Sequence, residues 1–194
     1  MQPKLITIEG ASKSGKTTQA NLLAQKLTID GYRVKVIHFK ELQIKECNEL
    51  VKEELEITSK GLLALNYAKL IIIGESINSL DNYDYVIIDE YELTLLAKND
   101  IHYKISSTII NSYKIKQPDI CIIMATNDIE TKYENIEDTS TLTNIIKENT
   151  ILASYKNTKT VNNEEVLLIN SALNIAVNEE LIYSLVKLRG EKHE

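Results

Sequence analysis

The stretch Gly10-Ala11-Ser12-Lys13-Ser14-Gly15-Lys16-Thr17-Thr18 decides how the rest of the chain is read. From Gly10 to Thr17 it fits G-x-x-x-x-G-K-[ST], a phosphate-binding pattern. Just before it, Leu5-Ile6-Thr7-Ile8 is an apolar, β-branched run of the kind that forms a buried strand. After it, Leu22, Leu23, Leu27 and Ile29 carry apolar side chains at helical spacing, and Gly31 stands where a helix would end. The pattern therefore lies between a strand and a helix, the context that its chemistry needs. A glycine-rich turn that binds nothing is the competing reading, and the combination of strand, loop, Lys and Thr argues against it.

The spacing carries the chemistry. Gly10 and Gly15 let the backbone turn tightly and aim N–H groups inward. A helix opening near Gly15 adds unpaired N–H groups and the positive end of its dipole. Lys16 is expected to reach the β- and γ-phosphates of a nucleoside triphosphate, and the Thr17 hydroxyl to ligate Mg²⁺. Ala11, Ser12, Lys13, Ser14 and Thr18 complete the expected nucleotide-binding segment.

A chain of 194 residues fits one domain, and such a domain buries roughly 70% of its unfolded surface. Its net charge of −6 and pI near 5.2 argue against non-specific nucleic-acid binding, which needs a large basic face. Cys47 and Cys121 are far apart and form no CxxC or Cys/His cluster, so neither zinc nor a disulfide framework is indicated. Cys121 lies in an apolar run and reads as a core thiol. No signal peptide opens the sequence and no apolar run reaches the length of a membrane span, so the cytoplasm is the expected compartment. His38, His102 and His193 share no metal-ligand or triad spacing and read as solvated or partly packed. The tail 189–194 reads as frayed.

Strands are expected at about 4–9, 33–39, 84–89, 119–125 and 165–170, and helices at about 15–30, 41–57, 60–80, 93–115, 138–156 and 177–188. This alternation implies an α/β fold: a five-stranded parallel sheet flanked by helices in three layers, as in the P-loop kinases. Ligands of such sheets sit at the carboxyl ends of the strands. The third strand, Tyr85-Val86-Ile87-Ile88, ends in Asp89-Glu90-Tyr91. An apolar strand that ends in Asp matches the Walker B pattern, whose carboxylate serves Mg²⁺; a turn residue or helix N-cap is the structural alternative for Asp89. The fourth strand ends in Ala125-Thr126-Asn127-Asp128, which has N-cap character. The polar stretch Thr131–Ser140 reads either as a short lid over the phosphates or as a solvated connector.

With these pieces placed, the chain resembles the thymidylate kinase family over nearly its whole length. Glu9-Gly10 followed by Gly15-Lys16-Thr17-Thr18-Gln19 is similar to that family's E-G-x-D-x-x-G-K-T-T-Q opening. Asp89-Glu90-Tyr91 falls at its D-R-Y, and Pro118-Asp119-Ile120 at its P-D-L entry to the fourth strand. The resemblance implies transfer of the γ-phosphoryl of ATP to deoxythymidine monophosphate (dTMP), with Mg²⁺, by a cytoplasmic homodimer. It implies that Lys16 and Lys13 stabilise the transferring charge, and that Thr17 and Asp89 serve the metal. It places Lys40, Leu65, Lys69, Glu90 and Asn99 on the acceptor side. The departures gather there. The family's loop aspartate falls at Ser12, with Lys13 next to it and no arginine in the lid. The arginine that grips the acceptor phosphate falls at Glu90, which reverses the local charge. The F-x-x-x-R pattern facing thymine falls at Leu65 and Lys69, and Arg and Lys are not equivalent donors. Two further readings stay open: a kinase of a deoxynucleoside or another small molecule, with Glu90 facing a hydroxyl, and a nucleotide-binding protein without catalysis.

Overall fold

Apolar side chains on both faces of the central strands dictate a sheet covered on both sides. The computed structural model describes residues 2–42, 59–99, 112–113, 115–154 and 166–190. Strands β1 (Lys4–Gly10), β2 (Val34–His38), β3 (Tyr85–Asp89), β4 (Ile120–Ala125) and β5 (Val166–Asn170) alternate with helices. These are α1 (Lys16–Ile29), α2 (Ser59–Ile77), α3 (Glu92–Asn99), α4 (Ile129–Tyr133), α5 (Thr139–Ser154) and α6 (Ile175–Gly190). The strands form one parallel sheet in the order β2-β3-β1-β4-β5. The fold is therefore α/β with a five-stranded parallel sheet between helical layers, as the alternating pattern implies.

The two-residue period of the strands sorts their side chains between the layers. Ile6 and Ile8 of β1, Ile87 of β3 and Ile120, Ile122 and Met124 of β4 pack with Leu23 and Leu27 of α1 and Ile182 and Val186 of α6. On the other face Leu5, Val86 and Ile88 meet Leu70, Ile73 and Ile77 of α2. Cys121, Ile123 and Ala125 meet Leu93 and Ala97 of α3 and Leu152 of α5. Cys121 is thus a buried core thiol. The buried stripe of α1 runs through Lys16, Gln19, Ala20, Leu23 and Leu27. Ile29, read from the sequence as part of that stripe, is 84% exposed, because two residues beyond Leu27 the helix has turned to its opposite side.

Each strand lies within a residue of its expected bounds. Of the helix expected at 41–57, Glu41 instead ends a 3₁₀ turn, Phe39–Glu41, and Leu42 is extended; residues 43–58, with Cys47, lie outside the described residues. The expected helix 93–115 is described from Glu92 to Asn99, and His102 falls in the stretch beyond it. His193 also lies outside the described residues. The stretch 131–140 contains the end of α4 and the start of α5. Within it Tyr133 is buried and shares a small core with Ala11 of the phosphate loop and Ile145 of α5, while Glu134, Asn135, Glu137 and Asp138 are exposed. Asp138 caps α5 by accepting from Ser140 N, at 3.2 Å, and from Thr141 N, at 3.1 Å. Among the described residues no helix is long and apolar enough to cross a membrane.

Candidate nucleotide site at the carboxyl ends of the strands

The phosphate loop joins β1 to α1 through two left-handed residues. Lys13 has φ +60° and Gly15 φ +98°, and Gly15 is the N-cap of α1. No side chain caps that helix. Its N-terminal amides and dipole are accordingly oriented to receive an anion. Gly10 is needed for a different reason. A Cβ there would lie 2.4 Å from Ser14 Oγ and 2.8 Å from the Met124 carbonyl, so only a glycine lets β4 approach the loop this closely.

The loop is fastened at its entry by Glu9. This carboxylate is fully buried, and its Oε2 accepts from Thr94 Oγ1 at 2.5 Å and from the backbone N–H groups of Tyr91 and Thr94 at 3.0 Å each. The Thr94 hydroxyl in turn accepts from Gly10 N at 3.1 Å. One side chain thus ties the first glycine of the loop to the start of α3, where Asp89 and Glu90 also stand. Burial pushes the Glu9 carboxyl above its ordinary value near 4.5, against the opposing effect of its hydrogen bonds. A raised pKa means that the folded chain holds this proton more tightly than the unfolded one. The corresponding stability is complete below about 4.5 and is lost as pH rises through the folded value. Glu9→Gln keeps an acceptor for Thr94 and removes the titration. The difference in Tm between wild type and variant is therefore expected to change across that window and to flatten above it; a set of thermal melts over pH checks this.

At the other end of the loop Lys16 is buried. Its Nζ donates to Ala11 O at 2.7 Å and lies 3.3 Å from Glu90 Oε1. Thr17 Oγ1 donates to Asp89 Oδ2 at 2.5 Å, and His38 Nδ1 lies 3.3 Å from the same oxygen. The other oxygen, Asp89 Oδ1, is buried with no hydrogen-bond partner among the described residues. An orphaned carboxylate oxygen beside a threonine hydroxyl fits the hard oxygen ligation of Mg²⁺. Among the described residues no group of three His, Cys, Asp or Glu assembles around a metal position. The Thr17 hydroxyl and the orphaned Asp89 oxygen fit an ion held jointly with phosphate oxygens, as Mg²⁺ commonly is.

The expected acceptor-side residues divide. Glu90 has φ +68°, a left-handed backbone that costs a non-glycine residue on the order of 1–3 kcal/mol. Its N–H still donates to Ile8 O at 3.1 Å, so the ladder is kept while the chain turns out of the sheet. Its side chain is 4% exposed, and Oε1 is 3.0 Å from Lys40 Nζ as well as 3.3 Å from Lys16 Nζ. Lys40 is therefore brought to the site. Lys69 lies with its ammonium 5.9 Å from the ring centroid of Phe39, the neighbour of Lys40, and Leu65 is half-buried one turn earlier on α2. Asn99 ends α3, and its side chain lies outside the described residues. On the donor side Lys13 and Thr18 are exposed, Ser12 is half-buried, and Ser14 Oγ is buried without a hydrogen-bond partner among the described residues.

Besides His38 at Asp89, sequence reasoning missed four contributors. Glu9 and Thr94 form the anchor described above. Glu148 Oε2 accepts from Ser12 N at 2.9 Å, placing a carboxylate from α5 on the loop. Asn149, its neighbour, clamps the end of β4 by accepting from Thr126 N at 2.9 Å and donating to Thr126 O at 2.7 Å. No family model matches the chain, and no curated protein matches it.

Proposed function

We propose that this chain is an ATP- and Mg²⁺-dependent phosphotransferase of the nucleotide-kinase kind. The observation that carries the reading is the convergence of Lys16, Thr17 and Asp89 on the uncapped start of α1. In this reading the loop amides and Lys16 hold the donor phosphates, and Lys13 lies at the rim of the same loop. Thr17 and Asp89 would hold Mg²⁺, whose charge, when bound, offsets that of the phosphate oxygens. The chain itself does little covalent chemistry: it orients donor and acceptor and supplies fixed positive charge where negative charge develops. The resemblance to thymidylate kinases supports a nucleoside-type acceptor, with dTMP the first to assay, in a cytoplasmic homodimer.

Calorimetric titration with MgATP, followed by assay of ADP release with a panel of acceptors, tests this reading. Binding of MgATP with phosphoryl transfer to a panel member is the expected result; absence of MgATP binding refutes it. Asp89→Asn provides the metal test. It keeps an acceptor for Thr17 but removes the carboxylate charge, so the Mg²⁺ concentration for half-maximal activity should rise roughly 10- to 100-fold, the effect typical of disturbing a metal's supporting groups. An unchanged Mg²⁺ requirement would return Asp89 to the role of a strand-end turn residue.

A further inference from the structure

Glu90 is the group that the proposed chemistry leaves unexplained. It is a buried carboxylate on a left-handed backbone, and one oxygen is shared by the lysine of the phosphate loop and by Lys40. Lys16 reaches the terminal phosphates of a bound triphosphate. A carboxylate 3.3 Å from its Nζ therefore borders the transferring phosphoryl group, on the side of β2 and β3. Lys40, in the 3₁₀ turn that follows β2, keeps that carboxylate paired when the donor phosphates draw Lys16 away.

We infer that Glu90 selects the acceptor by its reacting group: a hydroxyl of a phosphate-free nucleoside, and not the phosphate of a nucleoside monophosphate. The inference rests on the phosphotransferase reading above; it keeps a nucleoside-type acceptor and changes the atom that attacks. Two arguments support it. A phosphate placed beside Glu90 meets a like charge. At about 5 Å and an effective dielectric of about 20, each negative charge on the acceptor weakens binding by at most on the order of a hundredfold, a repulsion that Lys40 offsets in part. A phosphate acceptor is also already deprotonated and gains nothing from a base, whereas a hydroxyl must lose a proton as it attacks. In the step that follows, the acceptor oxygen forms a bond to Pγ. The bond between Pγ and the β–γ bridging oxygen breaks, and its electron pair leaves with ADP. The hydroxyl proton passes to the Glu90 carboxylate.

The test compares four deoxynucleosides with their 5′-monophosphates as acceptors, using MgATP and the full chain. Thymidine or another nucleoside is expected to react with kcat/KM at least tenfold above that of its monophosphate. Glu90→Gln is expected to lower kcat at least a hundredfold, while MgATP binds no more weakly than to wild type. Glu90→Asp keeps the charge beside both lysines but withdraws it by one methylene. It should lower kcat at least tenfold with the nucleoside KM within threefold, a split that a purely structural role would not produce. Faster reaction of the monophosphates, full kcat in Glu90→Gln, or no turnover of either panel while MgATP binds overturns the inference. Failure of wild type to bind MgATP instead overturns the reading on which it rests.

Discussion

Lys16→Met lowers MgATP affinity roughly 30- to 100-fold, the loss of one or two charge-assisted hydrogen bonds. Phosphoryl transfer should fall further, on the order of a thousandfold, because the ammonium stabilises charge that grows only as the phosphoryl group moves. Methionine is the informative replacement. It fills the volume of the lysine stem, which is buried against the loop, so a cavity does not confuse the result. The same change removes the Lys16 ammonium from Glu90, whose pair with the largely exposed Lys40, at 3.0 Å, is kept. Taking a cation away from a buried carboxylate should cost about 1–3 kcal/mol of stability. For a chain of this size that is a drop in Tm of roughly 2–12 °C. Calorimetry and a melt on the same sample separate the two effects. Unchanged MgATP affinity would mean that Lys16 stays on Ala11 O and Glu90 when nucleotide is present, and the nucleotide reading would lose its central residue.

The division between what could and could not be read from the sequence follows the range of the interactions. β1, β3 and β4 are buried on both faces, so they appear as largely apolar runs, and their bounds were legible to within a residue. The glycine-bearing turn between β1 and α1 was legible because its glycine spacing is a local requirement of the backbone. Asp89 was legible because a strand end needs no distant partner to identify it. The Glu148 contact with Ser12 joins residues 136 positions apart, and nothing local to α5 marks it. His38 was read as a bystander, yet it lies directly opposite Asp89 in the β2–β3 register and beside its carboxylate. Reading strand ends in spatial order would have paired the two. The pairing of Glu90 with both Lys16 and Lys40 was not legible for another reason: its side chain is aimed by a left-handed backbone, and no propensity argument places a glutamate there.

Gly10→Ala tests how tightly the loop depends on its neighbours through packing alone, without a change of charge. The added methyl meets two obstacles of different stiffness. Ser14 Oγ, 2.4 Å away, is the end of a side chain without a hydrogen-bond partner among the described residues, and it can rotate aside. The Met124 carbonyl, 2.8 Å away, belongs to β4, and Met124 is the register partner of Gly10. It can retreat only by opening the parallel ladder at the point where the loop begins. Overpacking of this kind costs about 1–3 kcal/mol, or roughly 2–12 °C in Tm for a chain of this length. Because Gly10 N also donates to Thr94, the displaced loop would pull on the Glu9 anchor, and MgATP affinity should fall at least about tenfold, the equivalent of about 1.4 kcal/mol. The double variant Gly10→Ala/Ser14→Ala separates the obstacles. It removes the Oγ contact and leaves the carbonyl contact, so it should recover part of the lost stability and little of the lost affinity. Full recovery of both would show that the serine alone enforces the glycine and that β4 yields freely. The rigid positioning of the phosphate loop by the sheet, on which the orientation of Lys16 and Thr17 depends, would then be refuted.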